Sequence, residues 1–238
     1  MAVPTFHTIA VVDIERFGPR TNPGQASLRR AMYETLQEAC AESGIDWAPI
    51  VALDRGAGVI LLVPPATPVV HIAGAFVRAL DAVLAEQAAM FSEAHRMRFR
   101  LALHQGLCRQ DENGWVVGEA IDTACRLVDT APLREALTNA PDARMALIVS
   151  DDIHRSVIRH AHRLIDPASF APVVINAREL GNETGWISVP GRAYPPAMPA
   201  GTPQPRPAPP AQRAGIINNG PATVQGDQIA GNKIVGFR

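Results

Sequence analysis

The sequence lacks any apolar stretch that could span a membrane, and it lacks a strong excess of charge of either sign. Its longest apolar run, from Val59 to Pro65, has the length of a strand, whereas a membrane helix needs roughly 18 or more apolar residues. The 22 basic and 23 acidic residues give a formal net charge of -1, which excludes a strongly basic nucleic-acid-binding protein. We therefore expect neither a membrane nor a nucleic acid among the partners.

Cysteine is also scarce. The three cysteines, Cys40, Cys108 and Cys125, are an odd number without the spacing of a metal site. Reduced thiols of this kind are typical of cytoplasmic proteins. The N-terminal segment has no basic region, and its apolar stretch soon meets Asp13, so we predict no signal peptide and a cytoplasmic location.

Proline is distributed unevenly, because nine of the 21 prolines fall between Pro190 and Pro210. Such a segment cannot pack a core and behaves as a semi-rigid, partly polyproline II spacer. The length that precedes it suits one ordinary domain. We therefore predict a folded head at 1–189, a Pro-rich linker at 190–213 and a short C-terminal motif at 214–238.

The head alternates strand patterns with helix patterns. Alternating or β-branched apolar runs predict strands, apolar residues at a 3.6-residue period predict helices, and DRGAG predicts a hairpin turn. The predicted strands are Thr8–Val12, Trp47–Leu53, Val59–Val63, Phe99–Leu107, Trp115–Val117, Ala146–Val149, Val173–Ile175 and Trp186–Val189, and the predicted helices are Gln25–Cys40, Ile72–Phe91, Glu119–Val128 and one that begins at Ser150. This order predicts an α+β fold with a ferredoxin-like mixed or antiparallel sheet and helices packed on one face.

Asp13 stands directly after a buried strand, shortly before a helix. A carboxylate at a strand end is a suitable Mg²⁺ ligand. A second carboxylate on the neighbouring hairpin would complete a two-metal site for phosphoryl transfer. The alternative is a loop carboxylate that pairs with Arg16 or caps a helix.

Four stretches of the head together resemble the class III nucleotidyl cyclase homology domain. They are VVDIERFG (Val11–Gly18), LDRGAGVILLVPP (Leu53–Pro65), FRLALHQG (Phe99–Gly106) and GEAIDTACRLVD (Gly118–Asp129). Their order and spacing match over residues 5–189. The resemblance implies the cyclase fold, a homodimer with sites at its interface, and Mg²⁺ or Mn²⁺ as the cofactor if the head is active.

The metal-binding part of the resemblance is incomplete. Two aspartates hold two ions in this family; the first matches Asp13, and Ile14 matches the neighbour that lends a backbone carbonyl. The second aspartate falls on Ala57, a degenerate metal position without a ligand atom. Asp54 is a weak substitute, because residues three apart in a regular strand face opposite sides.

The nucleotide-binding part is altered as well. The two base-reading positions fall on Leu53 and Trp115, of which only Trp115 could stack on a base. The asparagine that stabilises the transferred phosphate falls on Asp122, whose negative charge repels phosphate, and the arginine of that pair matches Arg126. Arg126 could instead pair with Asp122 as an i, i+4 ion pair on the helix surface.

Histidines give weaker signals. The spacing of His154, His160 and His162 spreads these residues around a helix, which indicates a basic, solvated helix rather than a metal site. His104 is expected at the surface or at an interface.

The last fifteen residues form three pentads, VQGDQ, IAGNK and IVGFR. The β-branched first positions and glycine third positions of these pentads are Val224, Gly226, Ile229, Gly231, Ile234 and Gly236. Short β segments with glycine turns and polar ladders suit cross-β stacking between copies. The tail resembles bacterial amyloid signalling motifs, which implies self-assembly or assembly with a partner that carries a matching motif. The alternatives are a disordered tail or a strand that docks on the head or on a partner.

These features predict an intracellular signalling protein with a catalytically degenerate cyclase-like head and a C-terminal self-association motif. A nucleotide is a candidate ligand of the head. The alternatives are an active divergent class III cyclase that makes a cyclic nucleotide and a structural dimerisation module.

Overall fold

The structure, a computed structural model, describes residues 3–90, 96–110, 116–177 and 181–196, with the backbone alone at 176, 177, 181 and 182. Its strands are β1 (Thr5–Ile14), β2 (Val51–Asp54), β3 (Gly58–Val63), β4 (Phe99–Gln110), β5 (Val116–Val117), β6 (Met145–Ser150), β7 (Ala171–Ala177) and β8 (Gly181–Ser188). Its helices are α1 (Asn22–Glu42), α2 (Val69–His71), which continues through a π-helical turn (Ile72–Phe76) into α3 (Val77–Met90), then α4 (Glu119–Val128), α5 (Ala131–Thr138) and α6 (Asp151–Ser156). Short 3-10 turns cover Ile158–His160 and Pro167–Ser169. None of the helices in these ranges has the length and apolarity needed to cross a membrane.

The strands form one eight-stranded mixed sheet. Its order is β2-β3-β1-β4-β6-β8-β7, and β5 pairs with β4 outside this path. Among the described strands, only β4 and β6 pair in parallel, and the other neighbours are antiparallel. The α+β prediction with a mixed sheet is confirmed.

Helices cover both faces of the sheet. Side chains alternate between the two faces along β1. Val12 and the residues at steps of two from it pack under α1 and α3, whereas Val11 and the residues at steps of two from it pack under α4 and α5. The expectation of helices on one face is therefore wrong. The reason lies in β3 and β6, which are buried at every position and so need an apolar cover on each side.

Helix α5 was not predicted from the sequence. It spans only two turns, and Leu133, Ala136 and Leu137 are its buried residues. Arg98 holds the end of this helix by donating a hydrogen bond to the carbonyl oxygen of Leu137, in the last turn, where carbonyls lack partners within the helix. It also donates to the carbonyl oxygens of Ala140, at 2.8 Å, and Ala143, at 2.9 Å, in the segment that follows.

The head ends with β8 and a buried Val189. The first residues of the predicted linker, 190–196, are described, and Arg192 forms an ion pair with Asp142 of the head. The predicted boundaries at 189 and 213 stay predictions.

Candidate functional site

Asp13 lies near the end of β1, between Gly58 of β3 and Arg100 of β4. A Cβ atom on Gly58 would stand 2.1 Å from the carbonyl oxygen of Val12, so only glycine allows the two strands to approach here. The Asp13 residue is 6% exposed. The predicted strand-end carboxylate is therefore present, but it is enclosed by its neighbouring strands.

The carboxylate of Asp13 forms an ion pair with the guanidinium of Arg100. Both side chains are largely buried, at 8% exposure for Asp13 and 15% for Arg100. The Nε atom of Arg100 is buried and has no hydrogen-bond partner within the described part of the chain. The negative charge of Asp13 is thus balanced by a cation of the protein itself.

The hairpin of β2 and β3 brings no second carboxylate to Asp13. The side chain of Ala57 is a methyl group, which cannot bind a metal ion. The backbone oxygen of Ala57 accepts a hydrogen bond from the Ile14 N–H at 3.0 Å. Asp54 pairs with Arg29 of α1 at 2.8 Å and also accepts from the Gly56 N–H at 2.9 Å. Because α1 covers the face opposite to Asp13, Asp54 and Asp13 lie on different faces of the sheet.

These residues do not fit a two-ion site. Mg²⁺ takes oxygen ligands in a near-octahedral arrangement, usually with carboxylates and waters around one point. Here one carboxylate is bound by Arg100, the matching position is Ala57, and Asp54 faces α1. Within the described ranges, no three His, Cys, Asp or Glu residues gather in a way that could hold a metal ion.

Helix α4 carries Asp122 and Arg126, as predicted, but they do not pair. Asp122 is exposed, and Arg126 donates to the Thr123 hydroxyl at 3.0 Å. The Arg126 Nε atom is buried without a hydrogen-bond partner among the described residues. Leu53 is half-buried against the cluster under α4 and α5. Trp115, the other base-reading position, lies outside the described residues.

Sequence reasoning missed the contact that Arg55 makes beside the candidate site. It extends from the hairpin turn and forms an ion pair with Asp129, the residue that caps the C-terminal end of α4. A carboxylate at that end faces the negative pole of the helix, and Arg55 offsets this repulsion. The two residues are 74 positions apart, so no local pattern indicates the contact.

Two histidines are buried in the head, namely His104, which was expected at the surface or at an interface, and His154, which was expected on a solvated helix. His104 is 9% exposed, and its Nδ1 atom lies 2.9 Å from the Ser150 hydroxyl. His154 is also 9% exposed, and its ring stacks on Trp186 with ring centroids 3.4 Å apart. Burial lowers the pKa of His154 to about 4 and lowers the pKa of His104 as well. The expectation of a solvated helix is therefore wrong for His154.

The six residues predicted for tail assembly lie outside the described residues. They are Val224, Gly226, Ile229, Gly231, Ile234 and Gly236. Their assembly role stays a prediction.

No protein-family model matches the chain, and no curated protein matches it. Solved structures do. The catalytic core of a rhodopsin-guanylyl cyclase with converted specificity, in complex with ATPalphaS, has a TM-score of 0.54 at 14% identity, over 79% of this chain and 98% of that one. The adenylate/guanylate cyclase/hydrolase from Silicibacter pomeroyi has a TM-score of 0.53 at 17% identity, over 80% and 99%. The guanylyl cyclase Cya2 has a TM-score of 0.53 at 11% identity, over 84% and 98%.

At these sequence identities, the structural similarity shows a shared fold and nothing beyond it. The chain has the fold of the class III adenylate and guanylate cyclase domains.

Proposed function

We propose that the head is a catalytically degenerate cyclase fold that works in a signalling protein rather than in cyclic nucleotide synthesis. The observation that carries this proposal is the buried ion pair between Asp13 and Arg100. The guanidinium of Arg100 binds the carboxylate of Asp13, which matches the first metal ligand of the family.

The charges around this point disfavour the family's chemistry. Two-ion phosphoryl transfer needs carboxylates that face both ions and balance their charge. Arg100 adds a positive charge beside the one matched carboxylate, and Ala57 supplies none. Asp122 places a negative charge where the transferred phosphate is expected, so it repels the phosphate oxygens.

A second candidate function is an active divergent cyclase. The observation that favours it is the buried Nε of Arg126, which has no partner among the described residues. A buried donor of a charged group without a partner is unfavourable, so a bound phosphate oxygen would relieve it. Mg²⁺ or Mn²⁺ would then be the cofactor.

A cyclase assay separates the two candidates. Purified full-length protein receives ATP, GTP, CTP or UTP separately, with Mg²⁺ or Mn²⁺, and mass spectrometry measures the products. We expect no cyclic nucleotide in any arm. The matched control is Arg126→Met rather than Asp13→Asn, because the latter also breaks a buried ion pair. A cyclic product that disappears in Arg126→Met, with an unchanged unfolding temperature, would make the chain a divergent cyclase.

For the remainder of the chain, we propose that residues 190–213 form a linker and that 214–238 drive assembly with other copies or with a matching motif on a partner. The head would act as a homodimer. The pentad repeat supports the assembly role, since β-branched residues and glycines recur at fixed positions.

Deleting residues 214–238 tests the tail. We expect the full chain to form large species in sedimentation velocity and to bind thioflavin T. The truncated chain should do neither, while its unfolding temperature stays the same. Equal sedimentation of the two proteins would contradict the assembly role. A head dimer should persist after truncation.

A further inference from the structure

A groove of about 570 Å³ lies on the face of the sheet that α1 and α3 cover, which is the face opposite to Asp13. Its floor comes from the sheet, where Leu147 of β6 and Ser188 of β8 are paired neighbours. Residues 164–170 and the turn at 190–192 form one side. The other side is a stripe along the π-helical turn and α3, made of Gly74, Val77, Arg78, Asp81, Ala82 and Ala85. The groove is therefore separate from the degenerate metal position.

One end of the groove is apolar. A Cβ atom on Gly74 would lie 3.4 Å from the carbonyl oxygen of Arg163 and 3.5 Å from Cγ1 of Ile165, so the chain passes close to the π-helical turn here. Leu164, on the rim, is 42% exposed and has a φ of 73°. Such a backbone conformation is strained for leucine, and both strained residues and π-helical turns are frequent at functional sites. An apolar group bound in the groove would cover Leu164 and lose contact with water.

Two side chains of opposite charge line the middle of the groove without pairing. Arg78 is exposed and forms no ion pair or hydrogen bond within the described part of the chain. The Asp81 side chain is 24% exposed, and its ion pair with Arg144 is long, at 3.9 Å. Burial raises the pKa of the Asp81 carboxyl, because Arg144 offsets the loss of water only in part. Each of the two groups can therefore accept a further partner of opposite charge.

The spacing of these two charges restricts the ligand. Residues three apart on a helix have their Cβ atoms about 5–6 Å apart, so Arg78 and Asp81 can reach two neighbouring groups of one small molecule. A simple amine would match Asp81 and leave Arg78 unmatched, and a simple carboxylic acid would do the reverse. A molecule with an ammonium and a carboxylate on the same carbon matches both.

We propose that this groove binds a free α-amino acid with an apolar side chain. The ammonium group donates to the carboxylate of Asp81, the carboxylate pairs with Arg78, and the side chain lies toward Gly74 against Val77 and Leu164. The ligand has no net charge, as has the pair that holds it. The volume suits a small molecule, since ligand pockets span about 300–1,000 Å³.

Calorimetric titration of the full-length protein with leucine and two analogues tests the proposal. Isocaproate lacks the amino group of leucine, and leucinamide lacks the carboxylate. We expect saturable binding of one leucine per chain. Isocaproate should bind about tenfold more weakly, because it loses a hydrogen bond between charged groups. Leucinamide should bind about two- to fivefold more weakly, because the pair with Arg78 is exposed to water.

Substitutions assign each analogue to its residue. Asp81→Asn should weaken the binding of leucine about as much as the loss of the amino group does, and it should leave the affinity for isocaproate unchanged. Arg78→Met should weaken the binding of leucine and leave the affinity for leucinamide unchanged. The matched control is Glu86→Gln, an exposed carboxylate of α3 that does not line the groove. It should leave every affinity within about twofold.

A blocking variant tests the place of binding. Ala82 is exposed and lines the groove, so Ala82→Leu fills it without a change in the core. We expect this variant to lose leucine binding at an unchanged unfolding temperature. The absence of saturable binding, equal affinities for leucine and isocaproate, or equal weakening by Glu86→Gln and Asp81→Asn would each overturn the proposal. The outcome is independent of the cyclase assay, because the groove and Asp13 lie on opposite faces of the sheet.

Discussion

Asp13→Asn should destabilise the head strongly. The substitution removes the negative charge while the Arg100 side chain stays 15% exposed at the end of the sheet. The Nε of Arg100 has no hydrogen-bond partner among the described residues, so no second group takes over the charge. Removing one partner of a buried ion pair costs about 3–5 kcal/mol.

A double-mutant cycle isolates the pair from other effects of the substitutions. Arg100→Met removes the positive charge and leaves the carboxylate of Asp13 buried alone. The double variant carries neither charge, so no buried charge lacks a partner. We therefore expect the double variant to lose about 1–3 kcal/mol less than the sum of the two single variants.

Urea unfolding of the full chain, followed by tryptophan fluorescence, measures these values. A loss of about 3 kcal/mol with an m value of about 2 kcal/mol/M lowers the urea midpoint by about 1.5 M. Glu38→Gln removes a similar charge from an exposed position and should leave the midpoint unchanged. If Asp13→Asn behaves like Glu38→Gln, or if the two single losses simply add, the ion pair does not hold this strand end.

Two further predictions concern stability. Gly58→Ala should lower the unfolding temperature, with a loss of about 1–3 kcal/mol, because the new Cβ meets the Val12 carbonyl oxygen; Gly18→Ala, where a Cβ meets nothing within 4 Å, is the control. Burial lowers the pKa of His154 to about 4 in the folded state, from the ordinary value of 6.5 that applies to the unfolded chain. Between these pH values the unfolded chain therefore binds more protons than the folded chain. Stability should fall as pH drops through this window, by at most about 1.4 kcal/mol per pH unit. His154→Phe can keep the stack on Trp186 and should reduce this slope, whereas an unchanged slope would remove His154 as its cause.

Much of the fold could be predicted from local patterns. Helix α4 was predicted with the bounds that the structure has. The terminal strands β7 and β8 were predicted as a pair, but too short, and the second prediction began five residues after the start of β8 and ended one residue beyond it. Helix α5 escaped because two turns with three buried residues give too short a periodic signal. The helices on the second face of the sheet were not predicted for a related reason. A fully apolar strand such as β6 does not show which helix packs against each of its faces.

The site was predictable only in part. The position of Asp13 follows from the strand that precedes it, but its partner Arg100 depends on the register of β1 against β4, 87 residues away. The burial of His104 arises where the end of β6 brings Ser150 beside β4. Both contacts are products of strand pairing over a long sequence separation, which a local pattern does not contain.

A metal ion bound at a strand end exchanges with solution, and a chelator can remove it. The counter-charge of Asp13 is a side chain on the neighbouring strand, so it is present from the moment the chain is made. The folded form of this strand end should therefore be the same in media rich or poor in divalent cations. A change in the concentration of divalent cations should therefore leave this part of the head unaltered.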